Sequence, residues 1–325
     1  MTAVIDVSIV IPFYERQREV ETLLAGLDTV ERDGLHVETL VVQDGSAVTR
    51  TSELVARYPA LNVRFLSNGE NRGPGFSRNH GAREARGRYF WFIDSDAEII
   101  DTLVLRGLVR ALDEDRACLA AGGVVEKVDD VPYIMRPVVF PSLQVVNEKI
   151  AVHAGYGEAV GMLSTTNFFM RADMFRQAEG FDAGLVMFED NEFCLRLQTL
   201  ARGVFYQGAH TLVLHTMSPN GRASGFFSYF ADRRRYMHIK LMTRNVLMRR
   251  YKRWRLICLP VLEDVSVMRF AAGLRRWRLA RLAMADGPSP VAAWVGDMLI
   301  LMLYTARAMG LFFRSAPQAR KGSAP

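Results

Sequence analysis

Cysteine is scarce in this chain of 325 residues: Cys118, Cys194 and Cys258 stand far apart, and no two are spaced as C-x-x-C. That count fits neither a disulfide framework nor a cysteine metal site, and the thiols read as reduced, buried side chains of a cytosolic protein. The first stretch, "MTAVIDVSIVIPFYERQREV", has no basic residue ahead of its apolar run and no small-residue cleavage site, so it is expected to be a strand rather than an export signal. Internal repeats are missing, and low complexity is confined to "APQARKGSAP" at the end. The loop "NRGPG" has neither the Lys-Ser/Thr ending of a phosphate loop nor Rossmann glycine spacing, which argues against an ATPase and a dinucleotide reader.

Half of the residues are apolar, enough for a substantial core. The net charge of +6 is unevenly placed. Residues 1–231 carry 22 basic and 30 acidic side chains, whereas 232–286 carry 15 and 4. An acidic body followed by a basic, aromatic-studded segment points away from nucleic acid and toward an anionic membrane surface as partner. Within that segment, 233–255 and 275–281 interleave Arg and Lys with Trp, Tyr, Met and Leu, the composition of an interfacial helix or of a solvated basic face. Residues 291–313 are long enough for a bilayer of about 30 Å. Asp297 and Arg307 interrupt them, so an in-plane or packed helix is expected instead of a span.

Apolar periodicity predicts an α/β fold. "VSIVIP", closed by Pro12, "HVETLVVQDGS" and "NVRFLSN" read as strands, and "REVETLLAGLDTV", "TSELVARYP" and "FSRNHGAREARG" as the helices between and after them. The strand "RYFWFI" follows, then the helix "LVLRGLVRALDED" and one small-residue strand, "CLAAGGVVEKV". Residues 129–163 have no clean period and are expected to form an irregular, ligand-facing excursion. "TTNFFMRADMFRQAEGFD" reads as a strand into a short helix, "EDNEFCLRLQTLARG" as a helix, and "VFYQGAHTLVLH" as one or two strands. Strand and helix in alternation predict a mainly parallel sheet covered on both faces, with ligands at the carboxyl ends of its strands. Asp44, Asp94 and Asp96 would converge there.

In "DSDAE", Asp94 and Asp96 stand two apart, which in an extended chain puts both carboxylates on one side, a seat for Mg²⁺ or Mn²⁺. The longer stretch "NRGPGFSRNHGAREARGRYFWFIDSD" resembles that of family 2 glycosyltransferases, and "VSIVIPFYER", "VVQDGS", "NFFMRADMFRQAEGFD", "FED" and "VLH" resemble the family's other pieces, over roughly residues 6 to 216.

That resemblance implies a GT-A fold: a catalytic domain over 1–231, with 1–125 binding the nucleotide sugar and 126–231 facing the acceptor, and a C-terminal helical, basic and apolar region over 232–325. It also implies site residues. Pro12, Phe13, Tyr14 and Glu15 would shape the base and ribose pocket. Asp44 would accept a hydrogen bond from the base, Asp94 and Ser95 would lie by the ribose, and Asp94, Asp96 and His215 would hold the cation. Arg78 and Asn79 fall near the nucleotide, and Arg78 has two readings: offsetting donor phosphates, or pairing with a neighbouring acid. Asp190 would be the general base, with Glu189 positioning acceptor or base, although acids also suit a helix N-terminus. "TMSPNGRASG" resembles a lid, with Arg222 as its phosphate candidate.

The implied activity is inverting, metal-dependent transfer from a nucleoside-diphosphate sugar, UDP-linked by expectation, to a hydroxyl acceptor, lipid-linked or a cell-envelope glycan, on the inner face of the cell membrane. Two departures stand out: no Gln-x-x-Arg-Trp follows the Glu-Asp pair, unlike the processive synthases, and Gln43 replaces the acid common before Asp44. A non-catalytic nucleotide-sugar binder or membrane scaffold and a sugar-phosphate nucleotidyltransferase are the rival readings.

Overall fold

A computed structural model of the chain describes residues 4–15, 17–46, 48–139, 145–185 and 188–216. The described elements belong to the first of two compact units. The expected boundary at 231, the basic segment, residues 291–313, Cys258 and Arg222 lie outside the described residues.

The first half alternates as the periodicity predicts: β1 (Val7–Phe13), α1 (Gln17–Asp28), β2 (Val37–Gln43), α2 (Thr51–Arg57), β3 (Val63–Ser67), α3 (Pro74–Glu84) and β4 (Tyr89–Ile93). After these come β5 (Ala97–Glu98), α4 (Val104–Glu114), β6 (Cys118–Gly122), β7 (Val124–Val128), β8 (Val131–Val139), β9 (Val145–Ala151) and β10 (Gly157–Val160). The remainder is β11 (Asn167–Arg171), α5 (Ala172–Gln177), α6 (Glu189–Leu200), β12 (Val204–Gly208) and β13 (Val213–His215). Among the described residues, no helix is long and apolar enough to cross a membrane.

Eight strands form the central sheet in the order β10-β12-β6-β11-β4-β1-β2-β3. The run β3-β2-β1-β4 is parallel, as is β6 with β12, while β11 lies antiparallel between β4 and β6. Side chains alternate across this sheet with period two. Val7, Ile9, Ile11, Tyr89, Trp91 and Ile93 meet Leu23, Leu24 and Leu27 of α1 and Leu105, Leu108 and Leu112 of α4 on one face. On the other, Val10, Leu40, Phe90, Phe92 and Phe168 meet Ala82 of α3, Phe175 of α5 and Phe193 and Leu197 of α6. Cover on both faces is why all five residues of β4 are apolar and buried.

Pro12 does not close β1, which runs on to Phe13: the ladder to β4 ends at Val10 opposite Phe92, so only β2 flanks the proline. "CLAAGGVVEKV" is two strands in two sheets. Gly123, at φ 128°, breaks it, and a Cβ there would lie 2.4 Å from Gln207 Cγ. Residues 129–163 are not irregular either. They form the hairpin β8–β9 and then β10, and the hairpin joins a second sheet ordered β5-β13-β7-β8-β9. Pro132 and Pro137 interrupt the alternation of β8, and Glu148 and Lys149 of β9 are exposed, which removed the period. The expected division at 125 falls inside β7, and β11 and β12 complete the central sheet. Cys118 and Cys194 are buried thiols, as their composition predicted, and burial pushes both above the ordinary thiol range.

Candidate active site

Past Ile93 the chain does not stay extended. Ala97 N–H donates to the Asp94 carbonyl at 3.0 Å, closing a turn over Ser95 and Asp96, and β5 then pairs with β13 of the second sheet. The turn corrects the expectation that both carboxylates share one side of an extended strand. Asp94 Oδ1 accepts from Arg78 at 2.6 Å and Oδ2 from Thr166 Oγ1 at 3.1 Å. Asp96 instead faces His215 Nε2 at 3.8 Å. Ser95 is buried between them.

Arg78, on α3, pairs with two acids. Its buried guanidinium donates to Asp94 and, at 2.9 Å, to Glu189 Oε1 at the start of α6. Burial alone would lower its pKa, but the two carboxylates outweigh that and raise it. Asn79, one residue on, pairs its amide with the backbone of Phe181, donating to the carbonyl and accepting from the N–H, both at 2.8 Å.

His215 is held from two sides: Nδ1 lies 3.2 Å from Glu126 Oε1, and Nε2 faces Asp96. Burial, which alone would lower the imidazole, is outweighed by those two carboxylates, which raise it to about 10. Among the described residues, no three His, Cys, Asp or Glu side chains close into a metal-ligand set. The donor chemistry of Asp96 and His215 nonetheless fits a divalent cation. A carboxylate oxygen faces the imidazole nitrogen that Glu126 leaves available, and both acids would gain from a positive charge.

Asp190 stands at the wall of a cavity of about 270 Å³ that His215, Glu126, Thr166 and Ser164 also line. Burial and the adjacent Glu189 push its carboxyl up to about 7. Its Oδ1 accepts from the Asn191 N–H, and it stands in the acidic first turn of α6. A base with a pKa near neutrality can both lose and take a proton at working pH. Met135, Pro137 and Asn147 of the β8–β9 hairpin line the same cavity.

At the tip of β2, Asp44 is buried. Its Oδ1 accepts from Asn68 Nδ2 at 2.9 Å and Arg72 N–H at 2.8 Å, and its Oδ2 from Gly73 N–H at 2.9 Å. It thus ties down the loop ahead of α3. Gly45 must follow: φ is 80°, and a Cβ would lie 2.4 Å from Asn71 N. Pro12 is half-buried, Phe13 turns its ring into the core, and Tyr14 and Glu15 are exposed beside them. Glu15 N–H donates to Ser46 Oγ at 2.8 Å.

Sequence reasoning missed Thr166, Glu126, Asn68 and Asn167. Asn167 is fully buried: its Oδ1 accepts from Trp91 Nε1, and its Nδ2 donates to the carbonyls of Gly123 and Thr211. No local spacing signals these residues, because each acts on a partner in a distant element.

The family model for glycosyl transferase family 2 matches residues 8–178. Succinoglycan biosynthesis protein ExoO of Rhizobium meliloti is 36% identical over 107 residues, 33% of this chain and 30% of that protein. Glycosyltransferase YibD of Escherichia coli is 33% identical over 111 residues, 33% of this chain and 31% of that protein. The chain thus spans about 30% of the length of these relatives. Among solved structures, mannosyltransferase PcManGT from Pyrobaculum calidifontis in complex with GDP-Man and Mn²⁺ superposes with a TM-score of 0.53 at 16% identity, covering 96% of this chain and 88% of that one. TarS of S. aureus in complex with UDP-GlcNAc gives 0.51 at 19% identity, covering 75% and 66%. These likenesses carry the GT-A fold, and the match over more than half of its length places the chain in glycosyl transferase family 2.

Proposed function

We propose that the enzyme transfers a sugar from a nucleoside diphosphate, UDP by preference, to an acceptor hydroxyl in a single inverting displacement. The observation that carries this reading is Asp190, a carboxyl raised to about 7 at the wall of a cavity that Thr166 and His215 link to the acid-tipped strand. There it would take the proton from the attacking hydroxyl, a role that contributes on the order of 10² to 10⁴ in rate. Glu189 accepts from Arg78 and positions α6. Glu126, the cavity's other acid, is held on His215, so single displacement by Asp190 suits better than a covalent intermediate.

Asp96 and His215 are the residues to hold a divalent cation, and imidazole favours Mn²⁺ over Mg²⁺. When bound, the cation supplies charge stabilisation to the departing diphosphate. Relatives in complex with UDP-GlcNAc, GDP-Man and Mn²⁺ support the donor class and the metal. The nucleotide belongs at the strand tips near Tyr14, Glu15 and Asp44. The basic composition of residues 232–286 supports an anionic membrane face as partner.

The test is nucleoside diphosphate release from UDP-, GDP- and dTDP-sugars, with Mn²⁺ or EDTA, for wild type and Asp190→Asn. Metal-dependent release from one donor, lost in the variant, is expected. Donor binding without turnover by either protein, with cell extract as the acceptor source, would replace the transferase with a nucleotide-sugar binder.

A further inference from the structure

Two residues ahead of Asp190, Phe188 holds a backbone conformation that bulky side chains rarely adopt, φ 63° and ψ 24° in the left-handed region. Its neighbours Phe181 and Phe193 lie in the core, but half-buried Phe188 belongs to none of the apolar clusters formed among the described residues and lines the cavity. Such strain persists where the surroundings or the function require it, and it collects at ligand sites. Here it falls on a residue with an aromatic side chain in the lining of the cavity that holds Asp190.

The charges of the cavity are one-sided. Asp190 and Glu126 are acids, and His215, between Asp96 and Glu126, is the one side chain among the described lining residues that can carry positive charge. The neutral polar groups among the described lining residues are amides and hydroxyls: Asn147, Asn191, Gln207, Ser164 and Thr166. Amides and hydroxyls both donate and accept, so they match the hydroxyls of a sugar. The positive charge of His215 is already taken up by Asp96 and Glu126, so among the described lining residues a carboxylate or phosphate would meet the two acids with no free basic partner. At about 270 Å³, the space is small for a ligand site and suits one ring rather than a chain.

Building on the transferase reading, we propose that this cavity receives the acceptor as one neutral sugar ring. The partly positive C–H face of the sugar rests on the negative face of the Phe188 ring, and its hydroxyls meet the amides and hydroxyls opposite. Anionic acceptors are rejected at the point of attack, and any phosphate of a longer acceptor lies outside the cavity.

The experiment is saturation-transfer difference NMR on the full chain with Mn²⁺ and whichever of UDP, GDP or dTDP the wild type binds. The probes are methyl β-D-glucopyranoside, methyl β-D-galactopyranoside, methyl α-D-mannopyranoside and anionic methyl β-D-glucuronide. A neutral glycoside should receive saturation at its ring C–H protons, with the glucuronide roughly tenfold weaker. Phe188→Gly should weaken the neutral glycoside by roughly tenfold or more and Phe188→Tyr should keep it, with nucleotide signals equal in all three proteins. Equal binding of the glucuronide, undiminished binding by Phe188→Gly, or no neutral binder beside a bound nucleotide would each overturn the inference. Failure to bind any nucleotide would instead bring down the transferase reading, and this inference with it.

Discussion

Asp94 and Glu189 share one buried guanidinium: Arg78 donates to the first at 2.6 Å and to the second at 2.9 Å. The tip of β4 and the start of α6, which carries the proposed base, are therefore fixed to one rigid fork. Removing it leaves two acids facing each other without a cation. Arg78→Ala is expected to lose about 3–5 kcal/mol in urea unfolding. Arg78→Lys, a single point donor, should recover only part of the stability and of the turnover.

In the proposed displacement Asp190 sets the pH dependence. As the base it must be ionised, so kcat/KM should rise through pH about 7 and then level off. Asp190→Asn should lower turnover by about 10² to 10⁴ without moving donor KM. Stability runs the other way. The folded carboxyl holds its proton more tightly than the unfolded one, so its contribution is full below the ordinary carboxylate range and is lost as pH rises through about 7. The Asn variant should therefore melt above wild type at pH 8, with the gap narrowing toward pH 5.

Glu126 should matter to metal binding without touching the metal. It fixes His215 through Nδ1 and leaves Nε2 facing Asp96. Glu126→Gln is expected to weaken Mn²⁺ by about 10- to 100-fold in an EPR titration run without donor, while the melting temperature stays near wild type.

The two phenylalanines of the base helix should respond in opposite ways. Phe193 is fully buried, and Phe193→Ala should cost about 3–5 kcal/mol. Phe188→Gly loses partial burial but releases a left-handed backbone, so thermal unfolding should show a change within about 1 kcal/mol.

The alternation from β1 to β4 was legible because periodicity is a local property and each strand there has its own covering helix. The second sheet was not. β5 has two residues and β13 three, too short for any period, and a single glycine, Gly123, separates β6 from β7. At the site, spacing pointed to Asp94 and Asp96 and the resemblance of ordered motifs to Asp190 and His215; Asp190 and His215 line one cavity, and Asp96 faces His215. Thr166 reaches Asp94 only because β11 pairs antiparallel with β4, Asn167 opposite Ile93, and nothing in either stretch states that register. The turn over Ser95 and Asp96 was missed for a similar reason: it depends on β13 drawing β5 out of line.

The antiparallel insertion of β11 also governs how the chain must be made. During synthesis, β3, β2, β1 and β4 can assemble from their own stretch, but the outer edge of "YFWFI" has no partner until residues 167–171 have emerged. Until then the nascent protein presents an uncharged aromatic edge, the kind that seeks strands of other molecules. Chains stopped short of β11 should therefore aggregate, and the slow event in refolding should be the docking of this one strand into a gap between neighbours laid down well before it.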